Sequence, residues 1–319
     1  MFGYRKYANP NRFRTESDRS KVCRLNGYYV DAGRKTKAIS FSFDNKTRKF
    51  NDHIEFDFIP FAFTRNREAI FINNNFSIDR LINANYLIAD QLTGEDFRSK
   101  LFFATQKGAE YIDYDVEVIV KDQDKEHFET MFIRKESLKI FAEIRNLNSN
   151  NDYINKALSF SIRIKDDYYL NVMKEATEKI LNLSVLDGLI LTLMKLDPPQ
   201  GFIASQLIRI NRLIYKRIYY GGEMEHNQKQ ENFLFINAGN SAKAVKKHFR
   251  EKKIKHKLDT YRNKLISALA ARDSRRVNDI MLQLSSYAQV DFQFMHVIFR
   301  DFDKHVNLLY HFTNQLNYF

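Results

Sequence analysis

Few of the residues that could do chemistry stand at spacings that would support it. Arg300 and His305, in RDFDKH (residues 300–305), combine a fixed cation with a group that can hold or give a proton. Cleaving RNA needs both, one to stabilise charge growing on the phosphate and one to move the proton. Five positions apart, they would leave one helix at imperfectly matched angles, so two surface residues on a packed helix is the plainer reading. His53, His127, His226, His248, His256, His296 and His311 are scattered, without a metal-ligand spacing. Asp113 and Asp115 near Glu117, and Asp122 and Asp124 near Glu126, read as strand and turn residues, because the Gly and closing Glu of an EF-hand loop are not in place. There is no GxxxxGK[ST], no GxGxxG after a strand, no HExxH, no GxSxG and no paired CxxC. Cys23 is the single cysteine, which excludes an intrachain disulfide and leaves no thiolate set for zinc. We expect no catalytic residue, no metal and no cofactor, hence a protein that is not an enzyme.

Binding chemistry is better represented. The stretch KKHFREKKIKHK (246–257) has seven Lys or Arg among twelve residues and one acid, Glu251. The net charge is +12, and residues 237–276, with thirteen Lys or Arg against three acids, hold most of the excess. Such focusing has two readings: a solvated helix face, or a track for the phosphates of an anionic partner. Lys243, Lys246, Lys247, Arg250, Lys252, Lys253, Lys255 and Lys257 would form the track, with Arg209, Arg212 and Lys216 on a second helix assisting. His248 and His256 would add charge below neutral pH. At the other end, Asn73, Asn74 and Asn75 close an apolar strand. Asn is a good turn former, and its amide both donates and accepts, so the run is either a plain turn or a reader of base edges.

The elements that would position these residues divide the chain. Residues 1–24 mix Arg and Lys with Phe and Tyr, an arm that could order on nucleic acid. Residues 27–165 read as mixed α and β. GYYVD and KAISFSF suggest a hairpin; IEFDFIPFAF, EAIFIN, DYDVEVIVKD, FETMFIRK and LSFSIRIK suggest strands. SIDRLINANYLIADQL, capped by Ser77, and ESLKIFAEIRNL suggest helices. From about residue 170 the period becomes helical. One face runs from Val172 to Leu196, and DPPQG (197–201) breaks it. A second helix carries Leu207, Ile210, Ile214 and Ile218. Beyond a polar loop, three helices follow: one with Val245, Phe249, Leu258, Tyr261, Leu265 and Leu269; one with Val277, Ile280, Met281 and Leu284; one from Phe292 to Leu309, capped by Asp291. The prediction is an α+β fold with a mixed α/β domain over 1–168 and a basic-faced helical bundle over 169–319. The opening MFGYRKYANPNRFR has no apolar run of the signal-peptide kind, and we expect a soluble, cytoplasmic protein.

Three stretches carry a resemblance: DFIPFAF…AIFINNN, CRLNG at Cys23–Gly27, and HKLDTYRNKLISALAARDSRRVNDIMLQL…FTNQL. Together they resemble the large subunit of type I CRISPR interference complexes (Cascade) of the I-B kind. CRLNG is similar to the CxxCG start of that family's zinc knuckle, but the second cysteine is absent, and the chain is short for a large subunit. The resemblance implies a short form without zinc. It also implies a non-catalytic subunit that recognises PAM duplex DNA, helps to open it, and holds the displaced strand of the R-loop on a small-subunit-like bundle, while guide pairing supplies sequence specificity. Implied partners are crRNA, target double-stranded DNA, the backbone and other subunits, and an effector nuclease-helicase or transposition proteins, with no membrane. PAM contact would fall near Asn73, Asn74 and Asn75, and backbone contact on the cations named above. RDFDKH, for its part, is similar to the HEPN ribonuclease signature, the alternative being a ribonuclease of a defence or toxin system with Arg300 and His305 in its site.

Overall fold

The computed structural model describes residues 68–74, 76–91, 114–122, 128–148, 151–221 and 228–317. The N-terminal arm, Cys23, the GYYVD–KAISFSF hairpin, the IEFDFIPFAF strand and Asn75 lie outside the described residues. The fold is α+β, as expected: a small sheet region followed by helices. The chain divides into two compact units, with the division after Lys135.

In the first unit, strands β1 (Glu68–Asn73), β2 (Val116–Asp122) and β3 (Phe128–Ile133) form an antiparallel sheet in the order β1-β2-β3. Alternation sets the register. Ile72 stands opposite Val118, Val118 opposite Met131 and Val116 opposite Ile133, and all five are buried. Helix α1 (Ile78–Gln91) follows β1, with Arg80 N–H donating to the Ser77 hydroxyl at 3.2 Å, as the sequence leads one to expect of a cap. Asn85 on α1 then docks against β1. Its amide donates to Ile72 C=O at 2.9 Å and accepts from Ile72 N–H at 2.8 Å. One side chain thereby satisfies backbone groups that another strand would otherwise pair.

The second unit holds helices α2 (Lys135–Asn148) and α3 (Tyr153–Leu158), the hairpin β4 (Ser161–Lys165) with β5 (Tyr168–Asn171), and helices α4 (Val172–Leu181), α5 (Asp187–Lys195), α6 (Gly201–Tyr220), α7 (Gln228–Glu251), α8 (Lys255–Ala270), α9 (Ser274–Ala288), α10 (Met295–Arg300) and α11 (Phe302–Gln315). α11 is central, packing on α6, α7 and α10 with lesser contacts to α5 and α8. It buries Val306, Leu308, Leu309, Tyr310 and Phe312.

Three helices expected to be continuous are broken. The face from Val172 to Leu196 belongs to two helices, α4 and α5, separated where Leu183 turns left-handed (φ 53°). The basic helix with Val245 and Leu269 is α7 and α8, separated at Lys253 (φ 54°). The last helix is α10 and α11, and its cap is Asp301, not Asp291: Asp301 accepts from Lys304 N–H at 3.2 Å. The cause is common to the three. Helices on either side of a tight turn can face the same core, so the apolar spacing continues through the turn and conceals it.

A buried polar cluster ties four of these helices together. Asp187 (6% exposed) accepts from the Asn211 amide at 2.8 Å and the Tyr215 hydroxyl at 2.8 Å, and pairs with Arg272. Asn211 also donates to Asn307 at 3.0 Å and accepts from Leu186 N–H at 2.8 Å. Burial, and then the Asp187 charge, raise the Tyr215 hydroxyl far above the ordinary tyrosine value, so it stays a donor. Arg272 reaches the cluster from a left-handed position (φ 53°) just past the end of α8.

Candidate nucleic-acid interface

The stretch 246–257 is a corner. It holds the last turn of α7, the turn at Lys252–Ile254 and the first residues of α8. The turn closes by two backbone bonds, Lys253 N–H to Arg250 C=O at 3.0 Å and Ile254 N–H to Phe249 C=O at 3.1 Å. That is the Schellman pattern, with Lys where glycine is usual. Phe249 and Leu258 are buried on the two sides of the turn. With the apolar residues turned in, Lys247, Arg250, Lys252, Lys253 and Lys255 are exposed and Lys246 and Lys257 are half-buried. Lys243, one turn earlier, is also exposed.

An aromatic base supports the corner. Tyr287, at the end of α9, contacts Phe249 (5.3 Å between centroids), His248 (5.8 Å) and Tyr261 (6.4 Å). Lys257 Nζ lies 3.6 Å from the centre of the Tyr287 ring and Lys252 Nζ 5.6 Å from it. Burial, and then the Arg250 charge, lower the pKa of Lys246. Acidic counter-charge at this corner comes from Glu251, 3.9 Å from Lys247. Crowded cations over a packed base are a surface on which an anion relieves repulsion.

Other basic residues are placed differently. Arg262 is buried and donates to Met194 C=O; Arg272 belongs to the Asp187 cluster. On α6, Arg209 donates to Gln206 at 2.9 Å, and Arg212 donates to Glu231 at 3.0 Å and Asn232 at 2.6 Å while lying 4.6 Å over the Phe235 ring. Lys216 Nζ is 4.0 Å from Glu143. Arg212 and Lys216 line a cleft between α6, α7 and α11, not the corner. Sequence reading missed this cleft because its cations come from helices far apart in the chain.

Of the asparagines, Asn73 is half-buried at the end of β1, opposite Glu117. Asn74 is fully buried and its amide oxygen accepts from the Tyr114 hydroxyl. Beside them Phe76 is 71% exposed, with Arg80 5.3 Å over its ring. Arg300 is exposed at the end of α10, and His305 is half-buried in α11 on the far side of the break at Asp301. The single helix expected to carry both is therefore two. Burial lowers the pKa of His305, which lines the same cleft as Arg212.

Among the described residues no three His, Cys, Asp or Glu are grouped to hold a metal ion, and no helix is long and apolar enough to cross a membrane. What remains is an α+β protein with a cationic corner on a helical unit. A family model described as CRISPR-associated protein Csx8 matches residues 3–96 and 90–316, and the chain belongs to that family. Comparison with curated proteins and with solved structures gave no match.

Proposed function

We propose that this protein is the non-catalytic large subunit of a crRNA-guided type I CRISPR surveillance complex of the I-B kind, a short form without a zinc knuckle. The observation that supports this most is the gathering of seven cations, five of them exposed, at one corner of a CRISPR-associated chain. The corner holds the backbone of target DNA, including the displaced strand of the R-loop, by charge alone. Phosphate contacts of this kind give affinity and orientation, and base pairing to the guide gives sequence. Residues 169–319 act as the small-subunit-like bundle and residues 1–168 as the PAM side. Asn73 faces the PAM, while Asn74, buried and bonded to Tyr114, holds the chain beside it. Arg209 steadies the α6 face. The partners are crRNA, target duplex DNA, the other complex subunits, and a nuclease-helicase or transposition proteins, in the cytoplasm. Arg300 and His305 have no catalytic role, so replacing both with Ala removes no RNA-cleaving activity.

The test is charge reversal at Lys247, Lys252, Lys253 and Lys255. Affinity should fall for all duplex sequences alike, and the slope of log K against log salt should flatten by roughly 3–4. Undiminished affinity at physiological salt would rule the corner out. Asn73→Ala should change discrimination between PAM sequences instead; a uniform loss would deny it a reading role.

A further inference from the structure

We propose that the cleft between α6, α7 and α11 is a second anion site, one that takes the phosphate monoester of a nucleotide. Its charged lining is Arg212, Lys216, Glu231, Lys304 and His305, three fixed cations against one carboxylate, with Tyr220 beside them. Glu231 is already committed to Arg212 at 3.0 Å. Lys304 and Lys216 are held loosely by comparison. Lys304 Nζ lies 3.8 Å over the Tyr220 ring, and Lys216 Nζ is 4.0 Å from Glu143, the limit of an ion pair. A doubly charged phosphate gains more from such a set than a chloride or a carboxylate does. His305, its pKa lowered by burial, adds a neutral ring that a bound phosphate can draw into protonation. The Tyr215 hydroxyl and Asn307, which close the cleft from below, are buried and occupied with Asp187 and Asn211. They form a rigid floor.

The cleft and the basic corner share helix α7. Phe235 stands in the cleft on α7, and Lys243, Lys246 and Arg250 lie further along the same helix, beyond Gly239, which is buried against His311 of α11. From Glu231 to Glu251 the helix is about 30 Å long at 1.5 Å per residue. The shared chemistry is a nucleotide phosphate, whether it ends a strand or is free.

Binding of a 5′-phosphorylated DNA octanucleotide, of the same strand with a 5′-hydroxyl, and of AMP to the full chain tests this. The phosphorylated strand should bind at least 10-fold more tightly than the hydroxyl strand. Lys216→Gln with Lys304→Gln should abolish that preference, while Lys252→Glu with Lys253→Glu lowers both affinities and preserves the ratio. Competition by AMP would assign the site to free nucleotides; preference without competition would assign it to strand ends. Equal binding of both strands with no AMP binding would overturn the proposal. So would a preference that survives in the Lys216 and Lys304 variants. The proposal does not depend on the crRNA-guided role, because loss of duplex binding at the corner leaves the phosphate preference intact.

Discussion

Asp187 is the acid at the centre of the second unit's buried polar cluster. It is buried, and it receives Asn211, Tyr215 and Arg272. Asp187→Ala leaves the buried Tyr215 hydroxyl and Asn211 amide without this acceptor, while Arg272, partly exposed, keeps Asp303 at 3.4 Å, and should lower unfolding free energy by about 2 kcal/mol in a urea titration. A loss below about 1 kcal/mol would mean that the cluster is well hydrated without it. His311 gives a pH dependence. Burial, with Arg212 and Lys243 nearby, pushes its pKa down to about 4. The unfolded chain, with an ordinary histidine, takes up a proton first as pH falls through about 6.5, so stability is full above that pH and declines toward pH 4. The effect is at most on the order of 3 kcal/mol. Thermal melts of His311→Gln should be flatter across this window than those of the parent; parallel profiles would remove His311 as the cause. Neither role was legible in the sequence. Asp187 reads there as a polar interruption in LSVLDGLILTLMKL, and its partners lie 24, 28 and 85 residues away.

At the scale of elements, the strands EAIFIN, DYDVEVIVKD, FETMFIRK and LSFSIRIK, the Ser77 cap and the DPPQG break were legible, because alternation, capping and proline are local signals. Helix breaks were not, since α7 and α8 share one apolar face through a turn that contains no glycine or proline. Lys253 at that turn gives a direct check. A left-handed lysine costs roughly 1 kcal/mol relative to glycine. Lys253→Gly should therefore raise the melting temperature by a few degrees while weakening DNA binding through the lost charge. A lowered melting temperature would mean that the lysine stem contributes packing that the turn needs. The opposite sense holds at β1: Asn85→Leu leaves Ile72 N–H without a partner, while Ile72 C=O keeps Asn74 N–H at 2.9 Å, and should destabilise the first unit by about 1–2 kcal/mol in hydrogen-exchange measurements of that sheet. Unaltered protection of Ile72 would show that something else covers the strand.

For the molecule as a whole, the focused charge was visible in the sequence, and so was the CRISPR-associated family, through stretches spread along much of the chain. Which cations would be free to act was not. Arg262 and Arg272, in the same basic window, serve the interior, and Arg212 and Lys216 turn to the cleft rather than the corner. Net charge counts residues, whereas burial and partners decide which of them an anion can meet. Assembly into a crRNA-guided complex is best tested in the cell. The protein should be tagged in its own host, purified gently, and the RNA that accompanies it sequenced. Short RNAs of uniform length, with a constant repeat flank and variable spacers, are expected. No bound RNA, or fragments sharing cleavage ends, would contradict such assembly and would return attention to Arg300 and His305.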